Sequence, residues 1–344
     1  MTSVIVNASK TYEIKIGTGL LHTIGTEVKK LERAQKICIV SESTVWPLYG
    51  ETVSDSLEAE GFGVCTFLFP AGEESKNGKT FFDLVNFLAE HKLTRSDLII
   101  ALGGGVVGDL AGFAAASFLR GIRFIQVPTT LLAAVDSSVG GKTAIDLPAG
   151  KNLCGAFWQP SLVLCDTDVL HSLPSPIFRA GCAEVIKYGI LYDPNLFSHL
   201  EENGLAFDLE AVIARCVELK RNVVMEDEFD TGARMKLNLG HTIGHGVEAR
   251  SNFQLSHGEA VAIGIAIVCR ASHCVDSDRI LSLLEQFGLP ITAAYPVEDI
   301  YAYTLSDKKR SGGIVKLIIP NAIGNCSIVP TKVSDLKSFI EAGL

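Results

Sequence analysis

The first half of the chain alternates short apolar runs with segments of helical spacing. The apolar runs predict buried strands at 36–40, 63–69, 97–102 and 123–127. Segments of helical spacing at 80–91 and 110–118 lie between successive runs. Because continuous apolar strands suit a sheet that is covered on both faces, this β-α-β order predicts a mostly parallel sheet flanked by helices.

Helical spacing dominates the second half. It predicts helices at 177–192, 209–228, 232–250, 258–275, 278–288 and 333–342, and only 314–319 and 326–329 look extended. A proline-rich break at 173–176 separates the two halves. We therefore expect an α/β N-terminal domain, residues 1–173, and an all-α C-terminal domain, residues 174–344.

A polar stripe runs along the predicted 232–250 helix. Spacings of four, three and four place its residues on one helix face: Arg234, Asn238, His241 and His245. The stripe alone fits an amphipathic helix with a solvated face. Solvated faces usually carry Lys and Glu, however, whereas a guanidinium, an amide and two imidazoles recognise anions and bind metals. We predict that this face lines a site.

A glycine-rich loop, Gly103-Gly-Gly105-Val-Val-Gly108-Asp109, joins a buried strand to a helix. Such a loop binds phosphate, because glycines let the backbone approach and free N–H groups at the helix start face the negative charge. A tight strand–helix turn is the alternative. The acidic residue expected about 20 residues later is absent. A dinucleotide would need its ribose held elsewhere, and Glu42 is a candidate.

Two polar, glycine-rich stretches at 128–143 and 150–152 are predicted as loops. Gly140-Gly-Lys-Thr143 has the end of a P-loop pattern, but the glycine required at 136 is Asp136, which disfavours an NTPase. Lysines, an asparagine and an aspartate on these loops better suit a polyhydroxylated, anionic small molecule.

Glu184 and Lys187 lie one turn apart on a predicted helix that is otherwise mostly apolar. They form either an ion pair on the helix surface or part of a site. A glutamate and two histidines make an open Zn²⁺ site, with His257 as a possible ligand beside His241. The HExxH glutamate is missing, so a zinc peptidase is not expected. In addition, Arg234 and Lys220 could hold a carboxylate.

Composition and charge narrow the function further. A net charge of −9 argues against nucleic-acid binding. Nine scattered cysteines without a CxxC pair indicate reduced thiols, no apolar run reaches the length of a membrane span, and no signal peptide is visible. We expect a soluble, cytoplasmic protein that binds neither nucleic acid nor membrane.

Together the motifs resemble 3-dehydroquinate synthase, the sugar-phosphate cyclase family of the shikimate pathway. The matching segments span most of the chain: GEESK at 72–76, GGGVVGDLAGF at 103–113, FLRG at 118–121, PTTLLAAVDSSVGGKT at 128–143, GKN at 150–152, AEVIKYG at 183–189, LNLGHTIGH at 237–245, HGEAV at 257–261 and DKK at 307–309. Glycerol dehydrogenase-like enzymes share the fold and the metal geometry but not this set.

The resemblance implies two cofactors. The metal, zinc or alternatively cobalt, would be held by Glu184, His241 and His257. NAD would lie across the glycine loop, contacting Glu42, Glu73, Lys76, Gly104, Gly105, Val106, Asp109, Thr129, Thr130, Lys142 and Lys151. The family typically has Asp at position 42, so Glu42 is one methylene longer.

The resemblance also implies the substrate, 3-deoxy-D-arabino-heptulosonate 7-phosphate. The residues implied to bind it are Arg234 and Lys220 at the carboxylate, Asn152, Asn238 and Lys308 at the phosphate, and Arg120 from a neighbouring subunit of a homodimer. The residues implied for hydroxyl contacts and proton transfers are Asp136, Lys142, Lys187 and His245. Transient NAD-dependent oxidation, phosphate elimination, reduction and intramolecular aldol cyclisation would yield 3-dehydroquinate.

Two other activities on the same fold stay open. A metal- and NAD-dependent polyol dehydrogenase would release NADH stoichiometrically. Cyclases that make 2-deoxy-scyllo-inosose or an epi-valiolone act on substrates without a carboxylate, so the pairing of Arg234 with Lys220 argues against them.

Overall fold

The computed structural model describes residues 1–31, 34–251, 254–308 and 313–344, with the backbone alone at 305–308. Its strands are β1 (Thr2–Asn7), β2 (Thr11–Gly17), β3 (Lys36–Glu42), β4 (Gly63–Phe69), β5 (Leu98–Gly103), β6 (Arg123–Pro128), β7 (Lys142–Leu147), β8 (Gly150–Phe157), β9 (Leu162–Asp166), β10 (Ile314–Ala322) and β11 (Asn325–Lys332). Its helices are α1 (Ile24–Lys30), α2 (Trp46–Ala59), α3 (Gly78–Glu90), α4 (Gly105–Ser117), α5 (Ser175–Tyr192), α6 (Pro194–Asn203), α7 (Leu209–Glu226), α8 (His241–Arg250), α9 (His257–Ala271), α10 (Ser277–Gln286), α11 (Val297–Lys308) and α12 (Val333–Gly343).

The chain divides into two compact units. Unit 1 comprises Met1–Leu173 and Leu209–Phe229, and unit 2 comprises Pro174–Asp208 and Asp230–Leu344. None of the helices in the described ranges is long and apolar enough to span a membrane.

Unit 1 contains a seven-stranded sheet in the order β1-β2-β9-β6-β5-β3-β4. All neighbouring strands are parallel except β1 and β2, so the predicted mostly parallel sheet is confirmed. From the adjacent pair β3 and β5 the chain continues to β4 on one side and to β6 on the other. The carboxyl ends of β3 and β5 therefore form the topological switch point, where open α/β sheets bind ligands.

The core of unit 1 explains why β5 is so apolar. All six residues of this central strand are buried, and α4 packs over it, while Leu84 of α3 joins Leu110 and Ala114 of α4 in the same core. Each fully buried leucine-sized side chain contributes about 1.5–3 kcal/mol to the stability of the folded state. The small alanines of α4 let the helix lie close to the sheet, and this fixes the start of the helix at the carboxyl end of β5.

Helix α7 corrects the predicted domain boundaries. The sequence placed residues 209–228 in the C-terminal domain, but α7 belongs to unit 1. Its apolar face, including Val212 and Val217, is buried, and the helix packs against β1 and β2. Glu210 in its first turn accepts a hydrogen bond from Thr2, and Glu228, two residues beyond its end, accepts two from Ser9. The antiparallel β1–β2 pair, which lacks a crossover helix of its own, is covered by α7.

Within its described residues, unit 2 is helical apart from one hairpin. Helix α9 packs against α5, α8, α10 and α12 and is buried over most of its length. A capping box formed by Ser256 and Glu259 begins this helix. The predicted helix-rich second part is confirmed. In addition, strands β10 and β11 pair where the sequence looked extended.

The predicted single helix over 232–250 is wrong. Residues Ala233–Asn238 form a 3₁₀ turn, Gly240 has a φ of 76°, and α8 begins only at His241. A Cβ atom on Gly240 would lie 2.7 Å from the carbonyl oxygen of Val261 in α9. The close approach of α8 to α9 therefore requires glycine here, and the left-handed residue breaks the helix.

Candidate active site

The glycine loop in unit 1 is itself the start of α4. Gly104 is the extended residue before the helix, so the N–H groups of the first turn have no intrahelical acceptor. Thr129 donates its backbone N–H to Gly103 O at 3.0 Å, and a Cβ on Gly104 would lie 3.0 Å from Thr130. The structure thus brings Thr129 and Thr130 to the loop. The predicted contacts Gly105, Val106 and Asp109 are partly exposed.

The residues around this loop fit a phosphate-bearing cofactor. The Oγ1 of Thr129 is buried without a hydrogen-bond partner among the described residues, so it can bond a ligand. A Cβ on Gly105 would come within 3.3 Å of Ser137 Oγ, so a residue other than glycine at this position would require Ser137 to shift. Ser137 was not predicted, since nothing in its local sequence distinguishes it from its neighbours.

A charge network around the buried Lys76 lies next to the loop. The Nζ of Lys76 is 3.1 Å from Glu73, 3.1 Å from Asp109 and 3.8 Å from Asp146, and Lys151 is 3.8 Å from Glu73. Burial would lower the pKa of Lys76, but the three carboxylates raise it. Burial raises the pKa of Asp109 to about 6. The structure therefore joins four predicted cofactor contacts in one network.

The same region corrects the predicted loops. Lys142, Lys151 and Asn152 lie on the β7–β8 hairpin, not on loops, and Lys142 is exposed at the start of β7. The hairpin carries Asp146 to Lys76, a contact that sequence reasoning missed. Period-two apolar spacing in 143–147 was the signal that could have revealed this strand.

Two predicted substrate residues have strained backbones. Arg120 has a φ of 67° and Asn152 a φ of 56°. Non-glycine residues rarely adopt positive φ, and such strain concentrates at functional sites. Asn152 donates its N–H to Asp146 at 2.8 Å, which connects it to the Lys76 network, whereas Arg120 is exposed.

Lys220 contacts Asp136 within unit 1. From α7 its Nζ donates to the carbonyl oxygen of Asp136 at 2.6 Å and to its carboxylate at 2.8 Å. Asp136 lies in a π-helical turn, Ala133–Ser137, a conformation that is frequent at functional sites. The expected partner at the carboxylate, Arg234, is a buried residue of unit 2.

Glu42 ends β3 at the switch point of the sheet. Its carboxylate accepts hydrogen bonds from the N–H groups of Thr44 at 2.6 Å and Val45 at 3.0 Å. The side chain thus stabilises the turn that leads into α2, and its predicted role at a ribose stays a prediction.

In unit 2 the three predicted metal ligands converge. His241 and His257 are the first residues of α8 and α9, and Glu184 projects from α5. The Nε2 atoms of the two histidines lie 3.5 and 3.6 Å from Glu184 Oε1. One ligand atom from each residue falls within 4.8 Å of the others, which is the donor set of an open zinc site.

The hydrogen bond on the far side of the His241 ring suits metal binding. The Nδ1 of His241 lies 3.0 Å from the carbonyl oxygen of Leu239, so it carries the proton and leaves the Nε2 lone pair toward Glu184. Burial and the nearby Lys187 keep the pKa of His241 well below its usual value, which favours the neutral, metal-binding form. Burial opposes a charged His257, but Glu184 and Glu248 raise its pKa to about 9.

Lys187 contacts Glu184 directly. Its Nζ donates to Glu184 Oε2, and both side chains are about 1% exposed, so the alternative of a helix surface pair is wrong. A buried lysine beside a metal ligand can hold a substrate oxygen or move a proton at its Nζ.

The remaining predicted residues of unit 2 are only partly assembled. The centroid of the His245 ring lies 5.5 Å from that of His241 and 6.0 Å from that of His257. Asn238, by contrast, is exposed in the 3₁₀ turn. The side chain of Lys308 lies outside the described residues, as does Lys309. Sequence reasoning missed Glu248, although its helical spacing from His245 could have revealed it.

Comparisons with known proteins agree on one family. Models described as 3-dehydroquinate synthase N-terminal and C-terminal match residues 66–180 and 181–310. A 3-dehydroquinate synthase of Pelobacter propionicus is 47% identical, with 96% of each chain covered.

Two solved cyclase structures extend the comparison. A 2-deoxy-scyllo-inosose synthase complexed with carbaglucose-6-phosphate, NAD⁺ and Co²⁺ is 26% identical, with a TM-score of 0.91 and full coverage of both chains. A 2-epi-5-epi-valiolone synthase from Streptomyces hygroscopicus with NAD⁺ and Zn²⁺ bound is 25% identical, with a TM-score of 0.88 and coverage of 100% of this chain and 98% of that one.

Proposed function

Because this chain belongs to the 3-dehydroquinate synthase family, we infer that it converts 3-deoxy-D-arabino-heptulosonate 7-phosphate to 3-dehydroquinate and phosphate. The observation that carries this function is the cluster of Glu184, His241 and His257, in which the buried Lys187 lies against the buried Glu184. A carbon–oxygen lyase of this kind needs a metal site with open positions beside a group that can move protons.

Both cofactors fit the residues present. Zinc, or alternatively cobalt, would be held by Glu184, His241 and His257, and NAD would lie over the glycine loop in contact with Thr129 and the Lys76 network. When bound, NAD accepts and returns a hydride while the divalent metal polarises a substrate alcohol oxygen. We accordingly propose that unit 1 binds NAD and that unit 2 provides the metal site.

The chain's own residues would orient the substrate and move its protons. A guanidinium such as Arg234 can hold a carboxylate through two parallel hydrogen bonds, with Lys220 as a second cation. Phosphate contacts are proposed for Asn152, Asn238 and Lys308. Orienting both anionic ends of a flexible sugar can be worth several kcal/mol of the barrier.

Proton transfers are proposed for four residues, His245, Lys187, Asp136 and Lys142. The imidazole of His245 can accept a proton at one ring nitrogen and donate one from the other. Lys187 Nζ, fixed by Glu184, can donate to a substrate oxygen. Asp136, held by Lys220, can accept a hydrogen bond from a substrate hydroxyl.

We further propose a cytoplasmic homodimer. The nine cysteines, all within described ranges, are free thiols, which supports a reducing compartment. Arg120 is exposed and held in a strained conformation, which suits a side chain offered to a neighbouring subunit's phosphate site.

The function is tested with the purified enzyme and the heptulosonate phosphate. We expect inorganic phosphate and 3-dehydroquinate in equal amounts, loss of both on chelation, and recovery on adding zinc. A polyol dehydrogenase would release no phosphate. Release of phosphate without a carbocyclic product would contradict the proposed reaction.

A further inference from the structure

Glu248 is a buried carboxylate that none of the proposed roles uses. It lies on α8 one turn after His245 and is only 5% exposed. Removing a carboxylate from water is costly unless the charge meets a cation or a hydrogen-bond donor. The surroundings of this side chain therefore indicate what it does.

The carboxylate faces the rear of a proposed metal ligand. Glu248 Oε2 lies 3.7 Å from His257 Nδ1, while the other nitrogen of the same ring, Nε2, lies 3.6 Å from Glu184 Oε1. The imidazole is thus bracketed by two carboxylates, one on each nitrogen. Only one of them belongs to the proposed ligand set.

The two histidine ligands are supported differently. His241 has its Nδ1 against a backbone carbonyl oxygen, that of Leu239. His257 begins α9, and its Nδ1 faces a side chain from another helix. A ligand that binds metal through Nε2 must carry its proton on Nδ1, and an acceptor at Nδ1 fixes both this tautomer and the ring orientation.

We propose that Glu248 is a positioning residue for the metal centre, accepting the Nδ1–H of His257 so that Nε2 faces Glu184. This proposal rests on the proposed ligand set of Glu184, His241 and His257. It also explains why a carboxylate is buried in α8.

A competing assignment makes Glu248 a ligand. His245, Glu248 and His257 also place one ligand atom each within 4.8 Å of one another. A neutral imidazole, however, has a single lone pair, so His257 cannot serve both groups at once. The two assignments differ in the number of metal ions bound and in which variants lose them.

Metal affinity at one fixed pH tests the proposal. Glu248→Ala should bind zinc roughly 10- to 100-fold more weakly in competition with a chromogenic chelator, as expected when an outer hydrogen-bond partner is lost. Glu248→Gln, which keeps the shape and an acceptor oxygen, should lose less. Glu259→Gln is the matched control, because Glu259 lies two residues from His257 and bonds only Ser256 in the described contacts.

A spectroscopic readout separates positioning from general stability. In the Co²⁺-loaded enzyme, the visible bands of Glu248→Ala should shift while those of Glu259→Gln match the wild type. Wild-type stoichiometry should be one metal per chain. If Glu248→Ala does not fold, Glu248→Gln tests the proposal instead. It should then bind zinc more weakly and release it faster than the wild type does.

Three results are distinguishable. Wild-type affinity and spectra in the Glu248 variants, with metal loss in His257→Ala, would overturn the positioning role alone. Retention of metal by His257→Ala would overturn the ligand set itself. Two metals per chain, one of them lost on changing Glu248, would make Glu248 a ligand and refute the proposal.

Discussion

Substituting Gly240 by alanine should disturb the metal centre through the contact between α8 and α9. A new Cβ would lie 2.6 Å from Ile265 Cγ1, 2.7 Å from Val261 O and 2.9 Å from Ile265 N. Two of these atoms belong to the backbone of α9, so the strain cannot be relieved by a side-chain rotation. Helix α8 must move, and His241 at its first position moves with it.

The magnitude follows from two separate costs. A non-glycine residue at positive φ costs about 1–2 kcal/mol, and an overpacked contact adds about 1–3 kcal/mol. Gly240→Ala should therefore lower the free energy of unfolding by about 2–5 kcal/mol. Gly19→Ala is the matched control, because Gly19 also has a positive φ, of 67°, but no atom within 4 Å of its Cβ position. It should lose only about 1–2 kcal/mol.

Urea unfolding of the two variants, with zinc affinity measured on the folded proteins, is the assay. We expect Gly240→Ala to bind zinc more weakly, on the order of tenfold, and Gly19→Ala to bind it like the wild type. Equal losses of stability in the two variants, with unchanged zinc affinity in both, would refute the argument that close packing on α9 sets the position of His241.

Three further predictions concern charge and assembly. Burial raises the pKa of Asp109 from 3.8 to about 6, so the folded protein binds the carboxyl proton more tightly than the unfolded chain does. The stabilisation that comes from this bound proton is lost as the pH rises through that range. The stability of the wild type relative to Asp109→Asn should therefore fall between pH 4 and about 6 in urea titrations. The same change of unfolding free energy with pH in both proteins would contradict this. Lys76→Met should weaken NAD binding in calorimetry, since three carboxylates lose their cation; unchanged affinity would remove the network from the cofactor site. Coexpressed Arg120→Ala and His257→Ala chains should regain activity as hybrid dimers, each with one intact site, whereas no recovery would mean that Arg120 acts within its own subunit.

Local sequence was sufficient for the parts of the fold that depend on neighbouring residues. The apolar run of β5 and the glycines that follow it predict a buried strand and a helix start, because sheet burial and backbone access are decided there. The ligand set came from residue type together with the family resemblance. His241 and His257 each stand at the first position of a helix.

Contacts distant in sequence were not predictable in this way. The amphipathic pattern of α7 shows that one face is buried but not that it covers β1 and β2. The sequence around Gly240 fits a helical pattern, and nothing in it shows that the backbone of α9 approaches this residue closely. Asp146 joins Lys76 only because β7 and β8 pair. Each miss concerns a partner that only the tertiary fold provides.

The most direct test of the proposed catalysis is the number of phosphate molecules released per NAD molecule supplied. With excess heptulosonate phosphate and trace NAD⁺, the hydride taken from the substrate is returned to it in the same site. Phosphate should therefore greatly exceed the NAD⁺ added, with no accumulation of NADH absorbance. Phosphate release that stops at one equivalent of NAD⁺, with NADH accumulating in step, would contradict the account.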